Sequence, residues 1–201
     1  LSDDIIIKKI NSDSHKIYFC GKFSKNISKE NTVSKLLNIL EKKNFLGDKK
    51  FKITINKKIP NKAGLGGGSM NAASVLKYFL KKKIIKINSD QLSEICKKVG
   101  SDVILGLNKS NSILTSNNNI EKFYNCRKYY VLIVKPNFGC STKFIFSKVK
   151  IFNRPKFNKP SKNMFNLHYL KKTNNHLEKI AFSKYPKLKS IKSYLETLFD
   201  P

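Results

Sequence analysis

The stretch Pro60-Asn61-Lys62-Ala63-Gly64-Leu65-Gly66-Gly67-Gly68-Ser69-Met70-Asn71-Ala72-Ala73 decides how the rest of the 201-residue chain is read. Before it, Phe51, Ile53 and Ile55 alternate with Lys52, Thr54 and Asn56, the period of a half-buried strand. After it, Ala72, Val75, Leu76, Phe79 and Leu80 recur at the three-and-four spacing of a helix face. A glycine-rich loop between a strand and a helix suits an anion: glycines permit the positive φ angles of a nest, and nothing keeps a phosphate from the backbone N–H groups. The helix dipole points its positive end at the same place. Two common phosphate motifs fail on detail. A dinucleotide fingerprint needs glycine at the sixth position from Gly64, where Ser69 stands, and a Walker loop needs a closing Gly-Lys-Ser/Thr, which is absent. A plain glycine turn is the remaining alternative, but it leaves Ser69, Asn71 and the small pair Ala72-Ala73 unexplained.

Working outward, composition bounds the class. With 40% hydrophobic and 11% aromatic residues, the chain can bury the core of one medium domain, or of one domain plus part of another. No uncharged apolar run approaches the length of a membrane span, and Leu1-Ser2-Asp3-Asp4-Ile5 has no signal-peptide character, so the expectation is a cytoplasmic protein without a membrane partner. Cys20, Cys96, Cys126 and Cys140 are scattered without metal-site spacing and read as buried thiols. His15, His168 and His176 likewise form no ligand spacing. The net charge of +28 invites a nucleic-acid reading. Of the 41 basic residues, however, only Arg127 and Arg154 are arginine, the residue whose fork reads phosphates and bases. The lysines are spread along the chain rather than clustered, so we expect no specific nucleic-acid partner, only salt-dependent adhesion to polyanions.

Strand and helix signals alternate along the chain without internal repeat. Ile5, Ile7, Ile17 and Phe19 lie in two runs that read as a hairpin around Asn11–Ser14. Asn31-Thr32 caps a helix carrying Val33, Leu36, Leu37 and Leu40 on one face. Asn88-Ser89 starts another with Leu92, Ile95, Cys96 and Val99, closed by Gly100. Tyr130–Val134 is a continuous apolar run of the kind expected for a strand buried on both faces. The segment from Arg154 to Lys162, with Pro155 and Pro160, reads as a linker or surface excursion. Pro186 begins a helix whose Leu188, Ile191, Leu195 and Leu198 share a face.

Taken together, Ile59-Pro60, Ala63–Ser69 and Asn71-Ala72-Ala73 resemble the second signature of the GHMP kinases. The full string is similar to the branch that phosphorylates a cytidine-diphosphate-linked methylerythritol. Gly100-Ser101-Asp102-Val103, Val134-Lys135-Pro136, Ser141-Thr142 and Asn175-His176-Leu177-Glu178 fall in the family's order. Lys62 and Met70 stand where the family usually has small residues, Asn71 and His176 where it usually has aspartate, and Ile104-Leu105 replaces a usual Pro-aromatic pair.

The resemblance implies an α+β fold: a two-layer ATP-binding domain over residues 1–129, then the start of a second α+β domain over 130–201. It implies ATP and magnesium as cofactors, with the phosphates on the loop from Pro60 to Met70 and Ser69 near the metal or the β-phosphate. Asp102 would act as base toward the substrate hydroxyl or orient it for in-line attack. Thr142 and Phe146 would line the cytidine side, the ring offering a stacking face. Each has an ordinary alternative: Asp102 as a helix cap, Thr142 as the cap of the helix beginning there, Phe146 as core. The family's opening motif with a catalytic lysine and its closing Gly-Ser-Gly motif have no match, so the chain is expected to be truncated at both ends and to turn over little by itself. Other readings remain open at this point. One is a kinase of the same superfamily acting on homoserine or mevalonate, distinguished around Ser141-Thr142; another is a non-catalytic nucleotide-binding module, distinguished by ATP binding without turnover. Sequence does not set the oligomeric state.

Overall fold

Strand β3 (Lys50–Asn56) occupies the centre of a three-stranded sheet, and its side chains explain why. Phe51, Ile53 and Ile55 are buried on one face, while Lys52 is exposed on the other. Its neighbours β1 (Asp4–Ile10) and β2 (Lys16–Cys20) bury their apolar faces only partly and take the edges. In a computed structural model describing residues 1–117, 119–151, 154 and 158–199, β1 runs antiparallel to β3, with Ile7 opposite Ile53, and β2 runs parallel to it, with Ile17 beside Ile53. The hairpin expected from β1 and β2 is therefore not formed. The chain reverses between them as the turn residues require, but β3 inserts into the gap. The strand with the deepest apolar face gains two hydrogen-bonded neighbours, and the half-buried strands keep one edge each in solvent.

Only one face of this sheet is apolar, so one layer of helices suffices to cover it. Helix α1 (Thr32–Lys42) is capped by Asn31, whose side chain accepts from the amides of Val33 and Ser34, and buries Val33, Leu36, Leu37 and Leu40. Helix α2 (Gly67–Lys81) presents Ala72, Val75, Leu76 and Phe79, each 0% exposed. Helix α3 (Ser89–Val99) begins with a reciprocal Asn88–Gln91 capping box, and the Gly100 amide donates back to the Cys96 carbonyl. The three helices and the core face of β3 meet in one cluster that also takes in Ile85 and Val103.

Contacts divide the chain into two units: Leu1–Asn61 with Leu65–Lys109, and Lys62–Gly64 with the residues from Ser110 onward. The second unit contains the hairpin β4 (Asn111–Leu114) and β5 (Ile120–Phe123), with Leu114 opposite Ile120. It also holds α4 (Thr142–Ser147), α5 (Leu167–Lys171), α6 (Glu178–Lys184) and α7 (Pro186–Phe199). Pro186 is the first residue of α7, as expected, and α6 and α7 pack together. Leu188, Ile191 and Leu195 are half-buried, while Leu198 is exposed.

The buried strand expected at Tyr130–Val134 is not formed: Tyr130, Val131 and Leu132 are exposed and irregular. An apolar run becomes a strand only when another backbone pairs with it, and among the described residues no strand does. Of the expected linker, Pro155 lies outside the described residues. No helix among the described residues is long and apolar enough to cross a membrane.

His15 fastens the start of β2 to the start of β3. Its Nδ1 accepts from the Phe51 amide at 3.0 Å, its ring stacks on Phe51, and its side chain is 7% exposed. Burial lowers its pKa below the ordinary 6.5, against the pull of the Glu41 carboxylate and with the help of Lys50. Because the folded-state value is depressed, the stabilisation is complete above about 6.5, the value for an unperturbed histidine. It is lost as pH falls from there through the folded-state value. Urea midpoints compared at pH 7.5 and about pH 5.5 should therefore drop more for the parent than for His15→Gln. Equal pH slopes for the two proteins would contradict this role.

Candidate active site

The glycine loop leaves β3 and delivers the chain into α2 through a series of left-handed residues. Lys62, Gly64 and Gly66 have φ of 54°, 70° and 64°, positive at alternate positions, which curves a backbone into the concave form that turns amides inward. Gly66 is the N-cap of α2 and offers no side chain to its free amides, so those N–H groups remain available to an anion. Gly67 is required for another reason. A Cβ there would fall 2.9 Å from Ile59 Cγ2, because the first turn of α2 lies directly on the segment that leads into the loop.

Neighbouring elements fix this turn of helix. The Thr32 hydroxyl, at the start of α1, donates to the Gly68 carbonyl at 2.6 Å. Asn61 Nδ2 donates to the Phe23 carbonyl at 2.5 Å and holds the start of the loop. Met70 N–H donates to the Gly66 carbonyl at 2.9 Å, the first turn of α2. The remainder of the loop, Lys62–Gly64, clusters with the second unit, where Cys140 N–H donates to the Lys62 carbonyl at 2.9 Å.

Below the loop sits a buried polar cluster that periodicity gave no reason to expect. The Asp3 carboxylate is 0% exposed and ion-paired with Lys57, itself 4% exposed. One carboxylate oxygen accepts from the amides of Lys58 at 2.7 Å and Ile59 at 2.8 Å. The other accepts from Lys57 Nζ and, at 2.9 Å, from Asn71 Nδ2. Burial alone would raise the Asp3 pKa; the hydrogen bonds from Lys57, the Ile59 amide, Asn71 and the Lys58 amide outweigh it and hold the carboxyl below its ordinary value. The partners lie 54 to 68 positions from Asp3 in sequence, too far for any local signal.

The second motif meets the loop inside the same unit. A Cβ on Gly100 would lie 3.7 Å from Ser69 Oγ, so the turn carrying Ser101 and Asp102 departs beside Ser69. Asp102 is exposed, and its carboxylate accepts from Ser101 Oγ at 3.1 Å. The short 3₁₀ turn that follows, Leu105–Leu107, begins after Ile104 with no side-chain cap. The capping alternative for Asp102 thus has no bond to support it. Gly106 packs this turn onto α2, where an added Cβ would meet Ala73 Cβ at 2.7 Å, a contact that no sequence pattern announced.

Thr142 and Phe146 belong to the second unit. Ser141, not Thr142, caps α4: its hydroxyl accepts from the Phe144 amide at 3.3 Å. Thr142 is exposed, and Phe146 is 58% exposed while Ile145 is buried, so neither the cap nor the core alternative describes them. Standing one turn apart, they share a face of α4. A separate cavity of about 420 Å³ in this unit is lined by Arg127, Tyr129, Lys162, Phe165 and His168 and includes none of the sequence-predicted site residues.

No three His, Cys, Asp or Glu side chains among the described residues could form a metal-binding group. Magnesium is commonly held by substrate phosphates with one or two protein oxygens rather than by a protein cage. Ser69 offers a hydroxyl oxygen of that kind in the first turn of α2.

Comparison with known proteins bears on this geometry. The family described as GHMP kinases N terminal domain matches residues 31–112, the span that holds the loop and the Gly100–Asp102 turn. A 4-diphosphocytidyl-2-C-methyl-D-erythritol kinase of Pelagibacter ubique is 56% identical over 198 residues, covering 98% of this chain and 70% of that protein. One of Clostridium botulinum is 33% identical over 153 residues, covering 73% of this chain and 55% of that protein. Among solved structures, a 4-(cytidine 5'-diphospho)-2C-methyl-D-erythritol kinase superposes with a TM-score of 0.61 at 21% identity, covering 98% of this chain and 70% of that one. A homoserine kinase of Cytophaga hutchinsonii gives 0.51 at 17% identity, covering 72% and 50%. These two structural likenesses speak for the fold. The sequence relationship goes further, and on it this chain belongs to the 4-diphosphocytidyl-2-C-methyl-D-erythritol kinase family of GHMP kinases.

Proposed function

We propose that the protein transfers the γ-phosphoryl group of ATP to the 2-hydroxyl of 4-diphosphocytidyl-2-C-methyl-D-erythritol, a step of non-mevalonate isoprenoid biosynthesis, in the cytoplasm. The observation that carries the reading is the adjacency of Ser69, at the start of α2, to the Gly100 turn that bears Asp102. It puts the first turn of α2 and an accessible carboxylate on adjoining turns of one compact unit. The ATP-binding domain is taken as residues 1–129 and the start of the second domain as 130–201.

In this reading the loop from Pro60 to Met70 receives the phosphates. The amides at the start of α2 meet the charge, each helix terminus contributing about 0.3 to 2 kcal/mol per unit charge. Magnesium, when bound, would neutralise charge on the transferring group, and Ser69 is the residue that would hold it with the phosphates. Asp102 orients the substrate hydroxyl and accepts its proton at a carboxylate oxygen, which its exposed position beside Ser101 leaves accessible. Phosphoryl transfer depends mainly on positioning and charge stabilisation, so the rigidity of the loop matters as much as any single group. The exposed pair Thr142 and Phe146 offers a hydroxyl and an aromatic face to the cytidine end of the substrate.

Two variants of the full-length protein test the assignment. Gly67→Val pushes the first turn of α2 off Ile59 and should weaken ATP–magnesium binding more than tenfold, about 1.4 kcal/mol by calorimetry. Circular dichroism should accompany it, since the new side chain presses on Ile59. Unchanged ATP affinity in the folded variant would remove the loop from the site.

Asp102→Asn keeps the shape but not the charge. It should lower kcat with 4-diphosphocytidyl-2-C-methyl-D-erythritol by about 10² to 10⁴ while ATP affinity changes less than about tenfold. Near-normal turnover would exclude Asp102 as the base, and absence of any transfer to this substrate by the parent would overturn the function itself.

A further inference from the structure

We propose that Asp3 is a positioning residue of the phosphoryl-transfer site, its carboxylate clamping together the two ends of the glycine loop. The inference rests on the function proposed above for that loop. Its first support is where the four donors come from. Lys58 and Ile59 N–H groups, at 2.7 and 2.8 Å, belong to the two residues immediately before Pro60, where the loop begins. Asn71 Nδ2, at 2.9 Å, lies one turn into α2, just past the loop's end. A single buried side chain therefore spans the seam that the loop bridges.

The second support is Lys57. Its ammonium pairs with the same carboxylate and lies 3.5 Å from the position of a Cβ on Gly67, directly beneath the first residue of α2. A buried ion pair is weak support for stability, because well-packed apolar residues of the same volume do as well or better. What an ion pair with directed hydrogen bonds supplies is a fixed geometry. Here the fixed elements are the strand end and the helix turn from which the loop amides are aimed. The cluster lies outside the reacting groups, so Asp3 acts through the loop and is not a catalytic residue.

Donor and acceptor counting gives a test by exchange of side chains. In Asp3→Asn the remaining carbonyl oxygen can still accept the Lys58 and Ile59 amides, but an NH₂ group faces Lys57 and the Asn71 amide, donor against donor. Adding Asn71→Asp returns a carboxylate that accepts from both Lys57 and the new amide at position 3. In the full-length protein, hydrogen exchange of the amides of residues 63–70 without nucleotide, and calorimetric affinity for ATP–magnesium, are measured for the parent, Asp3→Asn and the double variant. The single variant should speed loop exchange and weaken ATP binding, each by about tenfold or more, and the double variant should recover both to within about threefold.

Loop exchange and ATP affinity that stay within about threefold of the parent in a folded Asp3→Asn protein, even with a lowered Tm, would reduce Asp3 to a structural role and overturn the proposal. A double variant that does not recover loop exchange would also overturn it. If Asp3→Asn does not fold, the double variant alone decides by the same measure. The nucleotide-free exchange separates the two ideas: a parent that does not bind ATP but shows the exchange pattern retains the clamp and loses the function, whereas ATP binding without the pattern does the reverse.

Discussion

Phe51 of β3 packs on Phe79 of α2 with ring centroids 4.8 Å apart, and the strand and helix joined by that contact are the two ends the glycine loop has to connect. Such a pair contributes about 0.5–1.5 kcal/mol beyond its burial. Around it Ile53, Ile55, Val75 and Leu76 leave no exposed surface. A loop between two elements held this closely has few paths available. Gly67 removes a side chain that would collide with Ile59, and the left-handed residues turn the backbone back toward α2. The course of the loop thus follows from how tightly β3 and α2 pack, and Asp3, Thr32 and Asn61 each fasten one margin of it.

The elements written in local periodicity were legible in the sequence. Leu36, Leu37 and Leu40 of α1, Phe51, Ile53 and Ile55 of β3, and the caps Asn31 and Asn88 stand where their spacing places them. Pairing of β1 and β2 was not legible, because strand neighbours are chosen by burial across the whole sheet and not by proximity in the chain. For the same reason Tyr130–Val134 reads as a strand and is not one: its composition is suitable, but a ladder needs a partner.

The candidate site divides in the same way. Ser69 and Asp102 could be named from motifs, and the structure adds that Gly100 brings their turns together. Asp3 and Lys57 could not be named. In sequence Lys57 is one lysine in a chain of net charge +28, and nothing local distinguishes it from the solvated lysines around it. Its difference is its burial beside a carboxylate 54 positions earlier. The high charge itself settles little, since ion pairs such as Lys98–Glu94 and Lys58–Asp4 are exposed and screened by solvent.

We propose that the start of α2 and its loop form a phosphate cradle. The most direct measurement is a crystal structure with magnesium and a non-hydrolysable ATP analogue. Phosphate oxygens are expected within hydrogen-bond distance of amides between Gly66 and Met70, with Ser69 beside the metal or the β-phosphate. A nucleotide bound elsewhere, with those amides facing solvent, would contradict it.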